Sequence, residues 1–351
     1  NCVEAVVAML AATSLGAIWS SSSPDFGAAG AHDRFAQISP RLLLTVDGYR
    51  YAGKAIDVRP VVAELADKLP GLDAVVMIPY LAGLSDAAAG SVTIPRAISW
   101  QALTADDAPL EFAATPFDHP LYILYSSGTT GAPKCIVHGA GGTLLQHLKE
   151  HLLHTDLRRS DRLFYFTTCG WMMWNWLVSG LASGATLVLY DGSPSFPDAG
   201  ALWRLAAEEG VTVFGTSARY LAGNAKAGLH PGRDFDLQRL RMVLSTGSPL
   251  APESFDYVYQ RVKADVHLAS ISGGTDIISC FLLGNPLLPV QRGELQCAGL
   301  GMAVAIYDEH GQALSEGRGE LVCERPFPSM PLGFWNDVDG RLYHPAYFGR
   351  F

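Results

Sequence analysis

An α/β body followed by a smaller β-rich subdomain is the fold class that this 351-residue sequence predicts. Three observations predict it. Short apolar runs without strict alternation recur through the first 290 residues, as expected of strands buried on both faces. Stretches of helical character separate those runs, which is the arrangement of a layered α/β domain. Beyond residue 290 the runs shorten and turn residues multiply, which suits a small antiparallel unit.

Taken in order, the apolar runs fall at 42–46, 74–78, 121–125, 163–166, 186–190, 211–214, 242–245 and 266–271. Helical stretches are expected at 61–69, 143–154, 175–181, 199–208 and 252–263, and residues 3–19 read as a further helix. Asp198 stands where an N-cap would serve the helix through Trp203. Residues 80–118, rich in Ala, Pro and Asp, read as a loose connector. In the last part, 293–297, 304–308 and 319–323 are expected strands, with Asp308-Glu309-His310-Gly311 as a hairpin-type turn. The expected division is 1–290 for the α/β body and 291–351 for the β-rich subdomain.

Composition narrows the function. Hydrophobic residues make up 49% and charged residues only 17% of the chain, so it has the means to fold around a core. A formal net charge of -9 argues against nonspecific nucleic-acid binding, which needs basic surface, yet leaves a local site for an anionic nucleotide open. Cys2, Cys135, Cys169, Cys280, Cys297 and Cys323 are scattered without a close pair. They are expected to be reduced, mostly buried thiols of a cytoplasmic protein, not a disulfide framework or zinc site. His147, His151 and His154 share one helical face; no acid or cysteine completes a metal set, and a solvated face is expected. The stretch 163–190 carries no charge and is long enough to span a bilayer. Its glycines, Asn175 and serines favour a buried strand–helix–strand unit instead. The chain starts at Asn1 and stops abruptly at Phe351, and is expected to be an internal piece of a longer protein.

The chemistry is concentrated in Tyr125-Ser126-Ser127-Gly128-Thr129-Thr130-Gly131-Ala132-Pro133-Lys134. An apolar run enters this loop and another leaves it, which predicts strand, loop, strand. Glycines let a backbone approach a ligand closely, and free N–H groups there cradle phosphate oxygens. The hydroxyls add hydrogen bonds and Lys134 a point charge. A turn rich in Ser, Thr and Gly is the plainer alternative.

These ten residues resemble the phosphate loop of the acyl-adenylate-forming superfamily, which includes acyl-CoA synthetases, luciferases and peptide-synthetase adenylation domains. Three further segments resemble the same superfamily in the same chain order. Gly247-Ser248-Pro249, after a strand and before a helix, matches the turn that lines the adenine pocket. Gly273-Gly274-Thr275-Asp276 matches the segment where a threonine contacts the α-phosphate and an acid helps hold Mg2+. The superfamily has Glu where this chain has Asp276, one methylene shorter, and a plain helix cap is the other reading of that residue. The aromatic segment from Thr167 through Trp171, Met172 and Trp174 matches one that borders the acyl pocket. Aromatic and thioether residues at this density also suit simple core packing.

The resemblance implies the large N-terminal domain of the adenylate-forming fold, with stacked α/β subdomains, a small β-barrel-like subdomain and no C-terminal domain. It further implies ATP, Mg2+ and CoA as reaction partners. Thr129, Thr130 and Lys134 would hold the β- and γ-phosphates; Ser126, Ser127, Gly128 and Gly131 complete that cradle. Within the superfamily the chain is most similar to the acetoacetate-activating branch. Gly273 and Gly274 stand where acetate-activating relatives place a tryptophan wall, so a longer acid such as acetoacetate has room. Another short-chain acid (acetate or propionate) and a non-catalytic nucleotide-binding module remain open. The piece alone is expected not to turn over.

Overall fold

The computed structural model of the chain describes residues 1–81, 92–126 and 133–351. At its centre is a five-stranded parallel sheet in the order His267–Ser270, Met242–Thr246, Val213–Ser217, Arg162–Tyr165 and Thr186–Val188. Its register places Val213 beside Leu163 and Met242, and Phe214 beside Phe164 and Val243. Alternate residues therefore feed two cores. Leu163, Tyr165, Val213, Met242 and Leu244 point to one, with Trp174, Trp176 and Leu177 from the helix Met172–Ser179. Phe164, Phe214, Val243 and Leu268 point to the other, with Trp203 and Leu221 from the helices Ala201–Glu208 and Ala218–Lys226. Strands covered on both faces need no polar side, which is why their middles are apolar runs, with the Ser and Thr of Val213–Ser217, Met242–Thr246 and His267–Ser270 confined to their carboxyl ends.

A second layer holds the parallel sheet Leu42–Val46, Ala74–Ile78 and Ala97–Ser99. The helices Gly27–Ile38 and Arg59–Lys68 pack against it around Phe35, Val62, Leu65 and Val75. Between the layers an antiparallel sheet joins Gly333–Phe334, Lys134–Gly139 and Pro120–Ser126. Trp19 bridges onto it beside Tyr122.

Most expected elements are present with shifted ends. The uncharged stretch forms strand, helix and strand, and among the described residues no helix is long and apolar enough to cross a membrane. The expected connector is more structured than its composition suggests: Ala97–Ser99 adds a strand to the second sheet and Trp100–Leu103 makes one helical turn. Its residues 82–91 lie outside the described ones. Asp198 does not cap the helix; Gly200 occupies that position, and Asp198 accepts the Gly200 N–H at 2.8 Å just ahead of it.

After residue 290, Val304–Tyr307 pairs with Glu320–Cys323. Asp308 Oδ1 accepts the N–H groups of His310 and Gln312 in the turn that follows the first of these strands. Cys297–Ala298 pairs back onto Ser279–Leu283, and Gly333–Phe334 onto Lys134–Gly139. Main-chain hydrogen bonds therefore tie this last part to the body.

Candidate active site

Three of the sequence segments leave the carboxyl ends of strands of the same parallel sheet, where ligands of open α/β sheets bind. Arg162–Tyr165 leads to the aromatic segment, Met242–Thr246 to Gly247-Ser248-Pro249, and His267–Ser270 to Gly273-Gly274-Thr275-Asp276. Sheet order brings them to one edge despite a hundred residues of separation in the chain. Gly247 has a φ of +87°, a conformation that disfavours a side chain. Gly247, Ser248 and Pro249 are all exposed.

Thr275 and Asp276 sit in the turn between the strands Ser272–Gly274 and Ser279–Leu283, an irregular antiparallel pair. Asp276 thus stands in a hairpin, not at a helix cap. Gly273 is fixed by this pairing, because a Cβ there would lie 2.0 Å from the Ser279 carbonyl oxygen. At Gly274 a Cβ would meet nothing within 4 Å, so one of the two glycines is sterically required and the other opens space.

Ser126 and Lys134 end the two loop strands and face each other across the ladder, as the strand–loop–strand expectation has it. Ser127, Gly128, Thr129, Thr130 and Gly131 lie outside the described residues. The Lys134 ammonium lies 5.4 Å from the ring centre of Phe334. Phe334 packs on Tyr347 with ring centres 5.7 Å apart. Tyr347 donates its phenol to Asp276 Oδ1 at 2.6 Å. Two aromatic rings therefore connect the lysine to the acid. Burial first, then the Asp276 carboxylate, raises the Tyr347 pKa, so the phenol remains a donor. Tyr347 was not foreseen; nothing near it in the chain marks it, since its partner is 71 residues away.

Asp276 Oδ2 has no protein partner among the described residues. A lone carboxylate is a hard oxygen donor and suits Mg2+, which usually keeps waters and substrate phosphates as its other ligands. Among the described residues no group of three or more His, Cys, Asp or Glu gathers to hold a metal alone. The donor set thus fits an ion delivered with a nucleotide.

The aromatic segment divides. Trp171 is 54% exposed, whereas Met172 is buried and Trp174 fully enclosed. Trp174 stacks on Trp19 at 6.3 Å and donates its indole N–H to Asn1 Oδ1 at 3.0 Å. In this conformation Trp171 offers surface to a ligand and Trp174 offers none.

The three histidines correct an expectation. They face the interior: His147 and His151 have no exposed surface, and Leu145 and Leu153 of the same helical run are more than half exposed. The run is Ala140–Lys149 continued by a wider turn, Glu150–His154. Each ring meets a main-chain carbonyl: His147 with Ile278 at 2.6 Å, His151 with Trp176 at 3.0 Å, His154 with Gly284 at 2.8 Å. Burial lowers the pKa of His147 to about 4 and of His151 to about 3. Both rings are neutral near pH 7, and each N–H that meets a carbonyl is a donor. All six cysteines are free, but only Cys135 and Cys280 are fully buried.

A carboxyl-end sheet edge that carries a cation, an acid and glycine turns is where open α/β folds place a ligand-binding site. The chain belongs to the family of AMP-binding enzymes, whose pattern matches residues 1–335. Along its whole length it is 57% identical to acetoacetyl-coenzyme A synthetase of Rhizobium meliloti strain 1021 and 50% identical to acetoacetyl-CoA synthetase of Xenopus tropicalis, covering 54% and 53% of them. The solved acetoacetyl-CoA synthetase of Streptomyces lividans superposes with a TM-score of 0.94 at 50% identity, over all of this chain and 54% of that one. The chain spans about half the length of the curated relatives it matches.

Proposed function

We propose that the chain supplies the nucleotide and acyl-binding part of an acid–thiol ligase that makes acetoacetyl-CoA from acetoacetate, ATP and CoA through an acyl-adenylate, in the cytoplasm. The observation that carries this reading is the linkage of Lys134 to Asp276 through Phe334 and Tyr347. Asp276 itself belongs to one of three sheet-edge segments whose chain order suits an adenylating site. Similarity over the full chain to acetoacetyl-CoA synthetases supports the choice of acid.

A carboxylate is a poor electrophile, so the first task is to place its oxygen against the α-phosphate while charge builds there. Lys134, with Ser126, Ser127, Gly128, Thr129, Thr130 and Gly131, would hold the β- and γ-phosphates. Thr275 would donate to the α-phosphate. Gly247, Ser248 and Pro249 would border adenine with a flat backbone surface. Trp171, Met172 and Gly274 would bound the acid. Asp276 would hold Mg2+, which offsets phosphate charge when bound; Tyr347 keeps that carboxylate aimed.

The test is ATP–pyrophosphate exchange by a protein of the relatives' full length that carries this sequence. Lys134→Ala should slow exchange roughly ten- to a hundred-fold, the worth of one charge-assisted hydrogen bond, with little change in melting temperature. Undiminished exchange would remove Lys134 from the site. Acetoacetate should be preferred in a panel with acetate and propionate. Complete absence of exchange with tight ATP binding would favour a non-catalytic nucleotide module.

A further inference from the structure

The turn that carries Thr275 and Asp276 is held in an unfavourable shape. Ile278, two residues beyond the acid, has a φ of +47° and no exposed surface. For a β-branched residue that backbone conformation is a genuine outlier. Such residues persist only where the surroundings over-determine them, and they concentrate at functional sites.

Here the surroundings are four polar side chains, all buried. Ser329 Oγ donates to the Ile277 carbonyl at 2.7 Å. His147 Nε2 donates to the Ile278 carbonyl at 2.6 Å. Glu150 Oε1 accepts from Ser279 Oγ at 2.5 Å and from the Cys280 N–H at 3.1 Å. Gln146 Nε2 donates to Ser279 Oγ at 2.8 Å. Four consecutive residues, Ile277 to Cys280, are thereby gripped from beneath. Three of the four gripping side chains come from one helical run that contributes nothing else to the candidate site. On the outer side, the Tyr347 phenol holds Asp276 itself.

We infer that Gln146, His147, Glu150 and Ser329 are positioning residues: they lock the Ile277–Ile278 turn in its strained form and so set where Thr275 and Asp276 meet the nucleotide phosphates and the metal. This rests on the adenylating function proposed above. It explains why buried polar side chains occupy the inner face of a helix whose leucines face outward.

The experiment compares His147→Leu with His147→Gln in the full-length protein. Leucine fills the volume without a donor; glutamine keeps an N–H within reach of the Ile278 carbonyl. The readouts are exchange rate, KM for MgATP, the Mg2+ concentration for half-maximal rate, and melting temperature. His147→Leu should slow exchange roughly ten- to a hundred-fold, as expected for small misplacement of reacting groups, and raise the half-maximal Mg2+ concentration. His147→Gln should restore both. Should His147→Leu fail to fold, Ser329→Ala removes the Ile277 grip and is judged by the same shift. An unchanged Mg2+ dependence, even with a lowered melting temperature, overturns the inference. So does equal loss in the leucine and glutamine variants. Lack of exchange in the unsubstituted protein would instead count against the function itself, which keeps the two failures apart.

Discussion

The five-stranded sheet and the helical run from Ala140 to His154 solve the problem of burial in opposite ways. In the sheet, Leu163, Phe164, Val213 and Phe214 are wholly enclosed and the two cores they feed are built from apolar side chains. In the helical run, Gln146, His147, Glu150 and His151 are enclosed, while Leu144, Leu145, Leu152 and Leu153 stand out toward solvent. The sheet gains its stability from area removed from water. The helix relies on hydrogen bonds from Gln146, His147, Glu150 and His151 to its neighbours, because losing such a bond in the interior is costly. A dry sheet tolerates any apolar residue of suitable volume; the polar helix fixes one arrangement of the hairpin it touches.

Acid should separate the two regions most sharply. The folded pKa values of His147 and His151 are depressed from 6.5 to about 4 and about 3. Between pH 6.5 and about 4 the unfolded chain therefore binds more protons than the folded one. Stability should be fully present above pH 6.5 and fall on acidification, by roughly 1.4 kcal/mol per pH unit for each ring. Glu150 opposes this in part, since burial raises its pKa above 4.5. Urea midpoints across that range check the slope, and replacing His151 with Gln should flatten it.

Next in size is Phe214→Ala. Phe214 stacks against Trp203 at 4.5 Å and Phe164 at 5.0 Å, and its loss should cost about 3–5 kcal/mol in chemical denaturation at any pH. Glu150→Gln changes little volume but replaces one acceptor oxygen with a donor, which then faces either Ser279 and the Cys280 N–H or the Trp176 indole N–H. It should cost about 1–3 kcal/mol, a value close to zero meaning that the carboxylate is already protonated in the fold. Smallest is Leu145→Lys on the outer face, where Leu145 is 52% exposed; denaturation should shift by no more than about 0.5 kcal/mol. A larger loss would show that this face is packed against something.

The same contrast explains what could be read from the amino acids alone. Runs such as 163–166 and 242–244 announce themselves because a strand covered on both sides is mostly apolar. The helix at 143–154 was equally visible as a helix, but periodicity reports that two faces differ, not which one points inward. Residues 27–38 and 218–226 went unmarked since alanine and glycine carry little hydrophobic contrast. Lys134, Thr275 and Asp276 stood out by local pattern. Tyr347, Phe334 and the polar grip under Ile278 did not, because each acts across a long chain separation that only the folded topology closes.

The pairing of Ser126 with Lys134 has a practical corollary. The backbone of Lys134 is held by the rung it shares with Ser126, so its register is set by the two strands. Under the proposed function, chimeras joined at that rung would exchange the residues next to Lys134 while its place on the ladder is kept.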